Sequence, residues 1–287
     1  MVLAHGADYG RFLLFETFDP ISSLFLPSGW YTWSGWSGFA GAPLTDGRVT
    51  FSGGFFNSPL IPYVGSQFWI YDPRSDVRLE RAMTHSRRLH TATLLQSGEV
   101  IVVGGFETPS LGGREVGPCE IYDPVSDTLR VTAALPVPTG WHAAVLLSDG
   151  RLLVSGGYRS ASVLDDSYES RCALFDPQME TWSLAAPLST RRAWPAAVLL
   201  RDGRVLLVGG SHSTTAGGAV QPESTEIYEP SSDTWTPGPD LSVGRRFHTA
   251  TLLNDGRVLV AGGSYYDPAS QSWPVLQSVE ILGPTFP

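Results

Sequence analysis

The chain has 287 residues, a formal charge of -9 and 19 basic side chains, all of them arginine. An acidic surface repels phosphate backbones, which argues against a general nucleic-acid role, and the absence of lysine removes Schiff-base chemistry with its lysine-bound cofactors. No apolar run approaches the ~18 residues of a membrane span. The opening MVLAHGADYG has no basic stretch leading into an apolar core, so cytoplasmic residence is the expectation.

In chain order, the first signals are Gly10-Arg11-Phe12-Leu13-Leu14 and Phe18-Asp19-Pro20, the latter followed by Phe25 six positions after the acid. A stronger pattern then sets in. The turn pairs Asp46-Gly47, Ser97-Gly98, Asp149-Gly150, Asp202-Gly203 and Asp255-Gly256 each lead to a diglycine, starting at Gly53, Gly104, Gly156, Gly209 and Gly262. The diglycines recur at intervals of 51, 52, 53 and 53 residues. The segments between read GRVTFSGG, GEVIVVGG, GRLLVSGG, GRVLLVGG and GRVLVAGG. Such runs have no polar face and predict a strand covered on both sides. The Asp-Gly pair predicts a two-residue hairpin turn. The diglycine allows unusual dihedrals and the close approach of another segment.

Each unit continues with a strand that ends in an acid and a proline: FWIYDP (68–73), CEIYDP (119–124), CALFDP (172–177) and TEIYEP (225–230). Proline ends the ladder there. Six residues past the acid stand Trp182, Trp235 and, in the second unit, Leu129, marking a short outer strand. The fifth unit reads as stopping at Val279 to Leu282 without a Trp strand. Four short strands on a period near fifty residues are the signature of an all-β propeller, one blade per repeat.

The diglycine, Tyr-Asp and Trp columns, with Arg upstream of a His or Gly column, resemble the kelch-repeat family. The match runs four times over residues 84 to 287 and more loosely over 11 to 83. The resemblance implies one propeller domain over residues 1–287. Five diglycines give five blades, with the N-terminal segment adding the missing outer strand to the last blade; the Gly10–Leu14 echo leaves six blades as the alternative. A fold does not name a reaction. A galactose-oxidase-like copper site implies a Tyr-Cys cofactor, but Cys119 and Cys172 lie on equivalent repeat strands and read as reduced, buried side chains. An iron site like that of the plant specifier proteins implies a Glu-x3-Asp-x3-His run, which does not occur. No cofactor or metal is therefore expected.

In kelch propellers the loops from outer strand to next inner strand, and those after the diglycine, gather around the central channel. Here the first set reads WSGWSGF (33–39), THSRRLH (84–90), PTGWH (138–142), TRRAWP (190–195) and VGRRFH (243–248). Guanidinium forks and aromatic faces suit an anionic or π-rich ligand. Trp36, Arg87, Arg88, Trp141, Arg192, Trp194, Arg245 and Arg246 are the expected ligand contacts. The resemblance supplies the opposing reading, that an Arg here ties neighbouring blades through an acid or carbonyl. His90, His142 and His248 share a column with Phe39 and Pro195, which reads as packing rather than a metal triad.

His85 borders the Arg loop and is the candidate for proton transfer there. In the 158–171 loop, Asp165 with Asp166 and Glu169, near Tyr158 and Arg159, suits an acid/base pair or a hard cation. The apolar loop FFNSPLIPYVGS (55–66) suits a lid or partner contact. Together these readings describe a propeller that binds a small anionic or aromatic ligand, or a peptide. The alternative is a cofactor-independent isomerase, cyclase or alkyl-transfer enzyme in which Arg stabilises charge and His85 or Asp165 moves a proton. Such an enzyme predicts a strongly displaced pKa inside the pocket. Oligomeric state is not legible in the sequence.

Overall fold

The computed structural model describes residues 2–4, 13–19, 24–32, 36–56, 62–109, 113–160, 167–213, 219–267 and 269–283. By contact the chain forms two compact units, Met1–Thr132 and Ala133–Pro287. The described residues are all-β, and none forms a helix long and apolar enough to cross a membrane.

In the first unit, Ala40–Pro43, Val49–Ser52, Gln67–Asp72 and Val77–Ala82 pair antiparallel in sequence order. Thr91–Leu94, Val100–Val103, Pro118–Asp123 and Thr128–Ala134 repeat the pattern. The second unit holds the sheet Ala143–Leu146, Leu152–Ser155, Cys172–Asp176 and Thr181–Ala185, followed by Ala196–Leu199, Val205–Val208, Thr225–Glu229 and Thr234–Pro237. Thr249–Leu252, Val258–Ala261 and Val279–Leu282 make the fifth sheet. Five meandering sheets on one period define a five-bladed β-propeller.

The strands before the diglycines are buried on both faces, as their lack of a polar side requires. Val205 and Leu207 pack with Leu153 and Leu174 of the third blade, while Leu206 and Val208 pack with Val258 and Val260 of the fifth. Three sequence expectations need correction. Each Asp-Gly turn spans three residues: Leu44 N–H bonds Arg48 O and Gly47 N–H bonds Leu44 O, with positive φ at the glycine and not at the aspartate. That is a type I turn with a bulge glycine. Asp46 accepts instead from the Arg48 amide and guanidinium, which explains the recurring Asp-Gly-Arg.

The second correction concerns the N-terminus. Leu13–Asp19 pairs with Leu24–Thr32, Phe18 facing Phe25, and Val2–Ala4 pairs with Leu13–Asp19. Among the described residues these strands form a three-stranded sheet of their own, and the fifth sheet holds three strands. Third, the fifth unit does carry the Tyr-Asp-Pro-to-Trp motif, as Tyr266-Asp267-Pro268 and Trp273, but in the loop after its diglycine. Asp267 bridges Ser272 and accepts from the Ala269 amide and Ser270 hydroxyl, as Asp123 does from Val125 and Ser126.

The blades are joined by an arginine. The Arg87 carbonyl accepts the Gly54 amide of the first blade at 2.8 Å, while its fully buried guanidinium reaches into the second, to Gly104 O, Pro118 O and Glu120 Oε1. Arg192 repeats this between Gly157 and Glu226, and Arg245 between Gly210 and Glu280. The glutamates also cap the preceding loop, accepting amides from Thr84 and His85, Ser189 and Ser242. In the third blade Thr139 and Ala173 occupy the two columns, and in the first Trp36 and Trp69, so acid and base are present or lost together. Removing one partner leaves an uncompensated buried charge, so Glu226→Ala is expected to lower stability by about 3–5 kcal/mol. Adding Arg192→Thr, the pairing of the third blade, is expected to recover part of that loss. Urea unfolding of the parent and the three variants measures both.

Candidate functional site

The residue before the His column takes a left-handed φ in every repeat: Gly38, Leu89, Trp141, Trp194 and Phe247. The turn belongs to the repeat. Placing a bulky ring there, where glycine is comfortable, costs on the order of 1 kcal/mol or more, and in the second unit three successive repeats accept it. Trp194 N–H donates to Trp141 O at 2.8 Å, which lines up the two turns. Their rings lie 4.5 Å apart, and Phe247 continues the row 5.3 Å from Trp194. Tyr158, which follows the third diglycine, stands edge-on to Trp141 at 5.5 Å. Tyr168 stands 6.2 Å from Trp194.

Arg246 lies among these rings, its guanidinium carbon 5.1 Å from the Trp194 ring centre, 4.9 Å from Phe247 and 3.4 Å from Trp273. Its backbone is bridged to Ser264, but its side chain has no hydrogen bond or ion pair among the described residues. Burial lowers its pKa from the usual arginine value, yet an arginine so shifted stays charged. The indole N–H of Trp194 is likewise buried without an acceptor. Two orphaned donors in an aromatic enclosure are unusual. Phe247 is 57% exposed and Trp273 38%, so the cluster opens to solvent.

Of the expected ligand contacts, Trp141, Trp194 and Arg246 lie together in the second unit. Arg87, Arg192 and Arg245 are not ligand contacts: each is 0% exposed and engaged by an acid and carbonyls. Sequence shows their charge but not their partner. Arg88 is buried in the first unit, donating to Thr108 O and lying 5.3 Å from the Phe55 ring. Trp36 is placed through its pairing with Phe56. Phe56 itself stacks on Tyr63 at 4.7 Å in the apolar loop.

His85 sits with Nδ1 3.5 Å from Glu120 Oε1, on the blade-linking carboxylate. Asp165 and Asp166 lie outside the described residues. Glu169 is clamped by both amide and guanidinium of Arg171; burial alone would raise its pKa, but those bonds outweigh it and the carboxyl is lowered. It is therefore held as an ion-paired carboxylate. The cysteines form no disulfide: Cys119 contacts Gly117 O, Cys172 contacts Ser170 O, and burial pushes the Cys172 thiol up to about 12. Sequence reasoning missed Trp273 and Tyr266, although the spacing rule used for Trp182 and Trp235 finds them when applied inside the last loop.

No family model matches the chain. Kelch-like protein 35 of Mus musculus is 30% identical over 212 residues, 74% of this chain and 32% of the relative. Kelch-like protein 33 of Homo sapiens is 33% identical over 134 residues, 45% of this chain and 23% of the relative. A galactose oxidase of Gibberella zeae is 30% identical over 91 residues, 28% of this chain and 12% of the relative. The solved structure of YjhT superposes with a TM-score of 0.73 at 12% identity, covering 94% of this chain and 88% of that one. Repeated sheets with a diglycine hinge and an arginine clamp define a propeller built from kelch repeats. The chain belongs to the kelch-repeat β-propeller family. It spans about a third or less of the length of these curated relatives.

The column histidines are structural. His90 Nε2 meets Ser52 Oγ at 2.7 Å, and burial lowers His142 and His248 to about 4. These two rings bind fewer protons folded than unfolded between the free-histidine pKa and about 4. Their contribution is therefore complete above that free value and is lost as pH falls through the window, up to about 3 kcal/mol for a group shifted this far. His142→Phe, the residue the first repeat uses at this column, is expected to flatten the stability-versus-pH curve between pH ~6.5 and ~4. Denaturant midpoints across that range measure it.

Proposed function

We propose that the chain is a binding module whose aromatic cluster in the second unit holds a carboxylate-bearing ligand with an apolar or aromatic body, either a small acid or part of a peptide. The carrying observation is the guanidinium of Arg246, desolvated by three rings and without an acid partner. A carboxylate satisfies it through paired charge-assisted bonds, accepts from Trp194 as well, and lays its apolar part on Trp141, Trp194 and Phe247. The enzyme alternative gains no support from the described residues: Glu169 is paired with Arg171, and His85 Nδ1 stands 3.5 Å from Glu120 Oε1.

Titration with indole-3-acetate and with its neutral amide, followed by tryptophan fluorescence and calorimetry, tests this. The acid is expected to bind more tightly than the amide. Arg246→Gln is expected to weaken the acid by about tenfold or more, the value of one charged hydrogen bond, with little effect on the amide. Equal affinity for acid and amide, or an unaffected Arg246→Gln protein, overturns the reading.

A further inference from the structure

We propose a second site, for an alkylammonium or guanidinium group, in the cavity bounded by Gln221, Glu223, Val243, Gly244, Tyr265 and Tyr266. Its volume is about 230 Å³, below the ~300–1,000 Å³ of pockets that enclose a whole ligand and suited to one long side chain. The walls are fixed from several directions. The Gln221 side chain donates to Ser211 Oγ at 3.1 Å and accepts the Tyr266 amide at 2.6 Å. The Glu223 carbonyl accepts the Leu241 amide at 2.8 Å. Gly244 is pressed against Gln221, where a Cβ would lie 1.9 Å from the carbonyl oxygen. Every one of these bonds predates any ligand, so binding need not order the walls.

With the Gln221 amide used at both ends, what remains to read a ligand is the Glu223 carboxylate and the two tyrosines. That carboxylate makes no hydrogen bond or ion pair among the described residues, and Glu223 is exposed. Glu223, Tyr265 and Tyr266 line one cavity, and a carboxylate and tyrosine rings attract a cation by charge and by the ring quadrupole. The net charge of -9 favours the approach of such a group. The Tyr266 ring neighbours Trp273 of the Arg246 cluster, but the two sites differ in ligand charge and in the charged residue that reads it, Glu223 against Arg246, so either can fail alone.

Calorimetric titration with agmatine, and separately with an acetylated and amidated Gly-Arg-Gly peptide, tests the proposal and separates a free amine from a basic side chain of a partner. At least one probe is expected to bind, more weakly as salt is added. Glu223→Gln is expected to weaken it by about tenfold, as loss of one well-placed charge does, while Arg246→Gln leaves it unchanged. Tyr265→Leu is expected to weaken it severalfold and Tyr265→Phe to spare it. Thermal melts of the exposed Glu223→Gln variant confirm folding. Absence of binding by both probes at millimolar concentration, or full binding by folded Glu223→Gln, overturns the proposal.

Discussion

The close approach of an arginine-bearing loop to a diglycine is the contact on which the rest of the fold depends. The carbonyl of Arg192 accepts the Gly157 amide, and a Cβ on Gly156 would lie 2.5 Å from that same oxygen. Only residues without a side chain, both at positive φ, leave room. The backbone of one arginine is thereby tied to the blade behind, and its guanidinium to the blade ahead. Two β-sheets with alternating apolar faces pack against each other in many rotations, since hydrophobic attraction is non-directional. A buried fork that must satisfy two carbonyls and one carboxylate admits few. Its desolvation makes it a poor source of net stability; its effect is to select the arrangement, and the hydrophobic strands supply the energy.

That division of labour explains which parts of the molecule were legible from sequence. The turn glycines, the apolar runs and the Tyr-Asp-Pro endings each encode a local backbone demand, and each repeats, so the five sheets could be read directly. Arginine is different, because its role depends on what it meets. Arg245 and Arg246 are neighbours with opposite fates, one enclosed by Glu280 and Ser278, the other surrounded by rings. The discriminating signal is the repeat column: Glu120, Glu226 and Glu280, 33 to 35 residues downstream, answer Arg87, Arg192 and Arg245. Glu280 is also 34 residues past Arg246, but it is paired with Arg245. Comparing columns across repeats, rather than scanning for charge within a loop, would have separated the clamp from the site.

Trp273 shows the converse. Its hairpin obeys the outer-strand rule, with Tyr266 and Trp273 rings 5.1 Å apart, close to the 5.0 Å of Tyr228 and Trp235. In the fourth blade the Trp235 indole reaches back to Ala186 O and helps hold blades together. In the last loop the same hairpin is free of that duty, and its indole covers Arg246 instead. A scaffold motif moved 16 residues upstream, from the column at 283 to Asp267, becomes part of the aromatic cluster without new local chemistry.

Departures from the repeat concentrate in the same place. The residue after the diglycine is Phe55, Phe106 and Tyr158 in three blades but Ser211 and Ser264 in the last two. Small side chains there leave space beside their bridge partners Ala193 and Arg246, and the bulk returns from elsewhere, as Trp194, Phe247 and Trp273. The overall charge of -9 does not forbid an anion at Arg246, because solvent screens exposed charges beyond ~8 Å at physiological salt, whereas a guanidinium half-buried among three rings interacts with its nearest neighbour at lower effective dielectric. Long-range repulsion slows the encounter with an acid; short-range complementarity sets how long it stays. In the binding proposed for this cluster, recognition is therefore governed by fit to the rings and the fork, which the unequal repeats supply, and not by the field of the whole protein.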